Sequence, residues 1–222
     1  MNYHKLFKDI VYYDDIHRYT HIPSGNTIPS VTKFIKKFVK PFNEEYWLPY
    51  KAKQLNVSEE ELKKEWELKG KIGRELGTII HNYLEARFQR KVIPPIVPTY
   101  IDTDKVDRIL QVCERYYQEC DLYYEALELV VGNEKVCGTL DKLMEGGLLR
   151  DYKTGQLKQG YNKMLSPFDN MMDSSLNIYA VQLNTYRQLL EEKGVKVNKM
   201  EIVFFTEETY SIHDIPFLDV PI

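Results

Sequence analysis

The order of the predicted elements favours an α/β (α+β) fold in which helices flank a central mixed sheet. Helical periodicity dominates the first half of the chain, and short strands joined by turns begin near residue 126. A further helix then separates these strands from a final strand pair. With 43% hydrophobic and 28% charged residues, the 222-residue chain has the composition of a globular protein with one substantial core. We therefore expect a single domain over 1–222.

Strand and turn signals fill residues 8–29, including one predicted strand over 17–20. Ser30 is suited to an N-cap, and the apolar residues after it recur at helical spacing, which predicts a helix over 31–39. A second helix is predicted near 43–54. The polar face of the first helix carries four lysines: Lys33, Lys36, Lys37 and Lys40.

A long helical stretch follows, and Ser58 opens it with a capping-box pattern. The pattern continues as far as Arg90, with a break predicted near 70–77, where glycines recur. The proline-rich residues 92–98 form a connector, and the next helix is predicted from 104 to about 125.

The remainder of the chain predicts the main sheet, with turns at glycine-containing segments. The predicted strands cover residues 126–131, 135–140, 148–152, 199–206 and 209–215. A polar loop from 155 to about 173 and a helix over roughly 174–193 separate the third of these strands from the fourth.

The bulk composition excludes several classes of protein. Three cysteines without a CxxC pair argue against a disulfide framework and against a four-cysteine zinc or iron–sulfur site. No apolar run approaches the roughly 20 residues that span a bilayer, and the N-terminus lacks the apolar core of a secretory signal. We expect an intracellular protein. The net charge of −3 neither indicates nor excludes a nucleic-acid partner.

Two strand segments bring acidic and basic groups together. Asp151 and Lys153 stand two apart on a predicted strand, so their side chains share one face. Asp141, after Gly138 on the preceding strand, can lie near Asp151. Two carboxylates at one point favour a cation between them, and a neighbouring ammonium can position water or stabilise phosphate charge. Each pair alone is also common on protein surfaces.

Two helices add polar pairs at i, i+4 spacing. His81 and Glu85 share one helix face, and Glu85 could hydrogen-bond the second ring nitrogen of His81. Gln182 and Tyr186 share a face of the helix after the third strand. A lone helical histidine is more often structural than a ligand, and a polar helix edge needs no function. The order of the pairs is more informative than any one of them.

In sequence, Gly-Thr-x-x-His-x-x-x-Glu, Gly-Thr-x-Asp, Asp-Tyr-Lys-Thr-Gly and Gln-Leu-x-x-Tyr resemble the motifs of the RecB-like branch of the PD-(D/E)XK nuclease superfamily. These motifs span about residues 70–190. The segment Ile28-Pro29-Ser30-Val31-Thr32 also resembles the mitochondrial genome maintenance exonuclease group and its phage relatives. The resemblance implies a restriction-endonuclease-like core over 66–222 and an N-terminal helical cap or DNA-binding elaboration over 1–65.

The resemblance also assigns roles. The implied metal ligands are His81, Asp141, Asp151 and the Tyr152 main-chain carbonyl. Lys153 would orient the attacking water or stabilise the transition state, with Gln182 and Tyr186 supporting the site. Glu85 and Glu128 are second-rank catalytic candidates. Mg²⁺ suits the oxygen ligands, and Mn²⁺ is expected to substitute because one ligand is a histidine. Some relatives carry a cysteine quartet for an iron–sulfur cluster, and no such cluster is expected here because the chain has three cysteines.

The implied activity is an exonuclease acting on single-stranded DNA or on DNA ends, from a phage or bacterium, with an organelle as the alternative location. Three alternatives stay open: a structure-specific endonuclease, a catalytically silent nucleic-acid-binding module, and a structural or interaction protein. Lysine-bearing helix faces could track phosphates, and exposed tyrosines such as Tyr46 and Tyr50 could stack on unpaired bases. The helices before His81 could form an arch through which a free end threads.

Overall fold

The computed structural model describes residues 3–13, 16, 18–92, 94–120 and 123–222. A small antiparallel sheet comes first, with β1 (Ile10–Tyr13), β2 (Arg18–His21) and β3 (Asn26–Ile28) in that order. The strand predicted over 17–20 is thus β2, and His17 lies outside the described residues.

The main sheet has five strands in sequential order: β4 (Ala126–Gly132), β5 (Cys137–Met144), β6 (Leu148–Thr154), β7 (Lys199–Phe205) and β8 (Tyr210–Asp214). β6 and β7 are parallel and the other neighbours are antiparallel. The helix α6 (Ser175–Glu191) makes the crossover that a parallel pair requires. The prediction of a mixed sheet flanked by helices is confirmed.

The other helices are α1 (Tyr3–Leu6), α2 (Val31–Ile35), α3 (Glu44–Leu55), α4 (Glu59–Phe88) and α5 (Thr103–Glu119). Ser30 caps α2 as predicted, since its hydroxyl accepts the N–H of Lys33. The helix predicted over 31–39 is shorter, because the chain tightens into a 3₁₀ turn at Lys36–Phe38.

The break predicted near 70–77 is wrong, because α4 runs without interruption for 30 residues. Each helical glycine costs about 1 kcal/mol relative to alanine, which the rest of the helix offsets. The capping box at Ser58 is present in full, and the C-terminal half buries Ile80 and Leu84 against the sheet. Burial of that face stabilises the helix more than three glycines weaken it.

Two further boundaries differ from the prediction. α5 ends at Glu119 rather than near 125, and Asp121 and Leu122 lie outside the described residues. β5 continues to Met144 instead of stopping at 140, because it pairs with the start of β6 across a turn with two positive-φ glycines. The predicted strands over 126–131, 148–152, 199–206 and 209–215 and the helix over 174–193 agree with the structure within about two residues.

The main sheet lies between two apolar layers. On one face α6 and α2 pack through residues such as Leu183 and Val31, and on the other α4 and α5 pack through Leu84 and Tyr116. Neighbours along β7 alternate between these layers, as the pleat of a strand requires. Among the described residues, no helix has the length and apolar character needed to cross a membrane.

Candidate active site

Two strands of the main sheet separate where the predicted carboxylates lie. The ladder between β5 and β6 ends at the pair Lys142–Arg150, so Asp141 and Asp151 are the next opposed residues. In place of a ladder bond, the main-chain N–H of Tyr152 donates to Asp141 Oδ2 at 2.6 Å. Both aspartates are buried. The structure thus brings together the two acids predicted to meet. The hydrogen bond from the backbone of β6, which carries Asp151, fixes the Asp141 side chain.

Glu128 lies on the other side of Asp141, on β4. The ladder of β4 and β5 skips these two residues between the pairs Leu127–Lys142 and Leu129–Leu140. Glu128 has a φ of +44°, a region that residues with a Cβ rarely adopt. Such a conformation costs of order 1–3 kcal/mol and is concentrated at functional sites. The distortion thus lies at the residue that the register of β4 and β5 sets opposite Asp141.

His81 reaches the same point from α4. Its Nε2 lies 3.0 Å from the Tyr152 carbonyl oxygen, and its Nδ1 lies 3.3 Å from Asp141 Oδ1. The suggestion that Glu85 hydrogen-bonds this ring is wrong, because other groups occupy both nitrogens. Glu85 Oε1 instead accepts from Gln89 Nε2 at 2.7 Å, one turn further along α4.

Donor atoms of His81, Glu128 and Asp141 all lie within 4.8 Å of one another. One imidazole and two carboxylates form a donor set that suits Mg²⁺ or Mn²⁺. The residues therefore fit a divalent ion. Glu128 belongs to this group although the sequence ranked it second, whereas Asp151 does not. The Tyr152 carbonyl oxygen lies next to the group, 3.0 Å from His81 Nε2. Ligation by Asp151 and by this carbonyl stays a prediction.

Asp151 is surrounded by the residues predicted to work with it. Lys153 forms an ion pair with Asp151 Oδ2, and Gln182 Nε2 donates to Asp151 Oδ1 at 3.2 Å. The Lys153 ammonium also lies 5.2 Å from the centre of the Tyr179 ring. The β-strand period and the crossover helix together place an acid, an amine and an amide on one face of the sheet.

Tyr186 is buried one turn after Gln182 and packs on the backbone of β5. A Cβ added to Gly138 would lie 2.9 Å from the Tyr186 ring and hydroxyl. Glycine at this position is therefore required by packing. The helix α6 is held close to β5 at the position three residues before Asp141.

The electrostatics of the site are strongly coupled. Burial raises the pKa of Glu128 to about 8, and the charge of Asp141 adds to this shift. Burial also raises the pKa of Asp151 to about 6, although Lys153 opposes it. Burial lowers the pKa of His81, but the charge and hydrogen bond of Asp141 outweigh burial and bring that pKa to about 9. Without a metal, both His81 and Glu128 are therefore protonated at neutral pH.

The two remaining charges are held in their ionised forms. Burial favours a neutral Asp141, but the charge and hydrogen bond of His81 outweigh it and hold the pKa of Asp141 below its ordinary value. Burial lowers the pKa of Lys153, yet the neighbouring carboxylates raise it above the ordinary value. The metal-free site thus contains two carboxylates balanced by an imidazolium and an ammonium.

Sequence reasoning missed one residue that borders the site. The Tyr19 hydroxyl, from β2 in the small sheet, lies 3.0 Å from Thr139 Oγ1 on β5. Thr139 precedes Asp141 by two residues on the same strand. No local pattern in the sequence indicates this contact, because it joins segments 120 residues apart.

Comparison with known proteins does not identify a family for this chain. No protein-family model matches the chain, and no curated protein sequence matches it. Among solved structures, the chain is similar to a candidate exonuclease from Eubacterium rectale, with a TM-score of 0.41 and 14% sequence identity. The alignment covers 65% of this chain and 59% of that chain, less than two thirds of its length. A likeness this distant identifies no function.

Proposed function

We propose that this chain is a metal-dependent nuclease of the PD-(D/E)XK type that hydrolyses phosphodiester bonds in DNA. The observation that carries the proposal is the meeting of Asp141, Asp151 and Lys153 where β5 and β6 separate. Three acids lie here in a buried region with one histidine and one lysine. Burial of so many ionisable groups costs folding free energy even when their charges balance, and well-packed apolar residues would serve a structural role at lower cost.

In this proposal His81, Glu128 and Asp141 would hold the ion. When bound, Mg²⁺ would polarise a phosphoryl oxygen and lower the pKa of its water. The Lys153 ammonium would donate hydrogen bonds to the attacking water or to the phosphate in the transition state. Asp151 fixes that ammonium by its ion pair, and Gln182 fixes Asp151 in turn. This chain of contacts holds Lys153 in place before substrate binds.

The preference for single-stranded DNA draws support from α3. Tyr46, Trp47 and Tyr50 are 58%, 39% and 52% exposed, and the two tyrosine rings are parallel within 7°. Exposed aromatic faces stack on unpaired bases whatever their sequence. The Phe42 ring, just before α3, packs on Trp66 of α4, and α4 rises about 22 Å between Trp66 and His81. The start of α3 therefore lies well away from the site. A strand several nucleotides long could contact both.

The test compares the protein with its Lys153→Ala variant on end-labelled linear and circular single-stranded DNA, in Mg²⁺ and in EDTA. We expect loss of linear DNA only, abolished by EDTA and reduced about 10²–10³-fold in the variant, as for removal of a transition-state donor. Lys193→Ala is the matched control, since Lys193 is exposed after α6. Its activity should equal that of the wild type.

Other results would redirect the assignment. Cutting of the circle would identify an endonuclease with the same site. If neither DNA nor a parallel RNA were cut in Mg²⁺ or Mn²⁺, the nuclease proposal would be overturned in favour of a silent binding module. Full activity in Lys153→Ala would show that the chemistry lies elsewhere.

A further inference from the structure

A groove of about 500 Å³ lies between the small sheet and the start of α2. Its walls include Arg18 and Tyr19 from β2 and Ser30 and Lys33 at α2. Sites that bind small molecules commonly have volumes of about 300–1,000 Å³, so one nucleotide unit fits.

Two basic side chains of the groove have no ionic partner among the described residues. Arg18 and Lys33 are exposed, and neither forms an ion pair with any residue that the structure describes. Among the described residues, the lining contains no acidic side chain. By contrast, Lys63 and Lys64 on α4 are both paired with glutamates. Two cations on one concave surface favour an anion, and a guanidinium can hold a phosphate through two hydrogen bonds.

The groove is fixed beside the candidate active site. Tyr19 forms one wall and is hydrogen-bonded to Thr139, which shares a strand face with Asp141. The main-chain N–H of Cys137 donates to the Pro29 carbonyl at 3.2 Å, which attaches the other wall to the start of β5. Two walls of the groove are therefore hydrogen-bonded to β5, the strand that carries Asp141.

From this geometry we infer that the groove binds a phosphate of the nucleic-acid strand adjacent to the phosphate that is hydrolysed. Arg18 and Lys33 contact the phosphate oxygens, and the Tyr19 ring lies between this phosphate and the metal ligands. The inference rests on the proposed nuclease function and adds to it the place where the flanking part of the substrate is held. The bound phosphate is either an internal phosphodiester or a terminal phosphomonoester.

The test uses the double variant Arg18→Gln/Lys33→Gln, with Lys193→Gln as the control for removal of an exposed cation. Hydrolysis and equilibrium binding of single-stranded oligonucleotides are measured at several salt concentrations, with binding followed in EDTA. We expect KM to rise about 10-fold, with a smaller change in kcat. The slope of log K against log salt should fall by about 0.7 for each phosphate that the variant no longer neutralises. The control should match the wild type.

Substrate variants identify the phosphate. If removal of a terminal phosphate abolishes the difference between wild type and double variant, the groove holds a strand end. If a methylphosphonate beside the cleaved bond does so instead, it holds an internal phosphate. Unchanged KM and salt slope in an active double variant would overturn the groove inference alone. A wild type that neither binds nor cuts would overturn the nuclease proposal and the inference with it.

Discussion

Metal binding to His81, Glu128 and Asp141 is expected to release protons. The pKa of Glu128 is raised to about 8 and that of His81 to about 9 in the metal-free site. At pH 7 the first group is about nine-tenths protonated and the second almost fully so. Both must lose the proton to become ligands. Each bound ion should therefore displace nearly two protons at pH 7, and the apparent metal affinity should rise steeply between pH 6 and 8.

Calorimetric titration with Mn²⁺ in buffers of different ionisation enthalpy measures the number of protons released. We expect nearly two for the wild type and about one for Glu128→Gln, which retains the shape of the side chain without the titrating group. Glu134→Gln, in the exposed turn before β5, is the matched control and should release as many as the wild type. Proton release near zero, or an affinity independent of pH from 6 to 8, would refute the assignment of these ligands.

The same pKa shifts link stability to pH. From pH 6.5 to 8 the folded metal-free protein binds more protons than the unfolded chain at both His81 and Glu128, so its stability falls as pH rises. The free energy of unfolding should fall by at most about 2 kcal/mol per pH unit, and by about 1 kcal/mol per pH unit after allowance for screening of partly exposed groups. Urea unfolding in EDTA should show this decrease, and Glu128→Gln should roughly halve it. Stability that rises with pH over this interval would contradict the pKa directions.

Two further predictions concern packing and substrate binding. Gly138→Ala should destabilise the fold by about 1–3 kcal/mol in urea unfolding, because the new Cβ would overlap Tyr186. Gly77→Ala should instead stabilise the fold by about 0.5–1 kcal/mol, because the new Cβ in α4 has nothing within 4 Å. Equal changes in stability for the two variants would contradict the close contact of Gly138 with Tyr186. Tyr46→Ala/Trp47→Ala should weaken binding of long single-stranded oligonucleotides by about 1–3 kcal/mol for each base that no longer stacks, with little change in Tm. Unchanged affinity would remove α3 from the path of the strand.

Much of the fold was predictable because its signals are local. Four strands of the main sheet and α6 have clear periodicity and turn residues at their ends, so their limits were found within about two residues, whereas β5 runs four residues further than predicted. The continuity of α4 was not predictable, since burial of Ile80 and Leu84 against the sheet offsets glycines earlier in the helix. Local propensity cannot report a contact with strands that come some 50 residues later.

The candidate site also combines features that the sequence predicts with features that it does not. The meeting of Asp151 with Lys153 follows from the strand period, and its proximity to Asp141 follows from the strand order. The positive φ of Glu128 is indicated by no feature of its side chain. The contact of Tyr19 with β5 depends on docking of the small sheet. Features set by tertiary packing were the ones that sequence reasoning ranked too low or did not find.

The main sheet is weakened at several points, and these points coincide with the candidate site. Glu128 occupies a strained conformation, and the side chain of Asp141 replaces a ladder bond to Tyr152. Elsewhere the sheet is regular, with seven consecutive pairs joining β6 to β7. Strain persists only where the surrounding structure over-determines it, and this parallel pairing beneath α6 provides that support. A fold selected for stability alone would close the ladder between β5 and β6. That it stays open at Asp141 and Asp151, beside Glu128 on β4, is the physical argument for the proposed metal site.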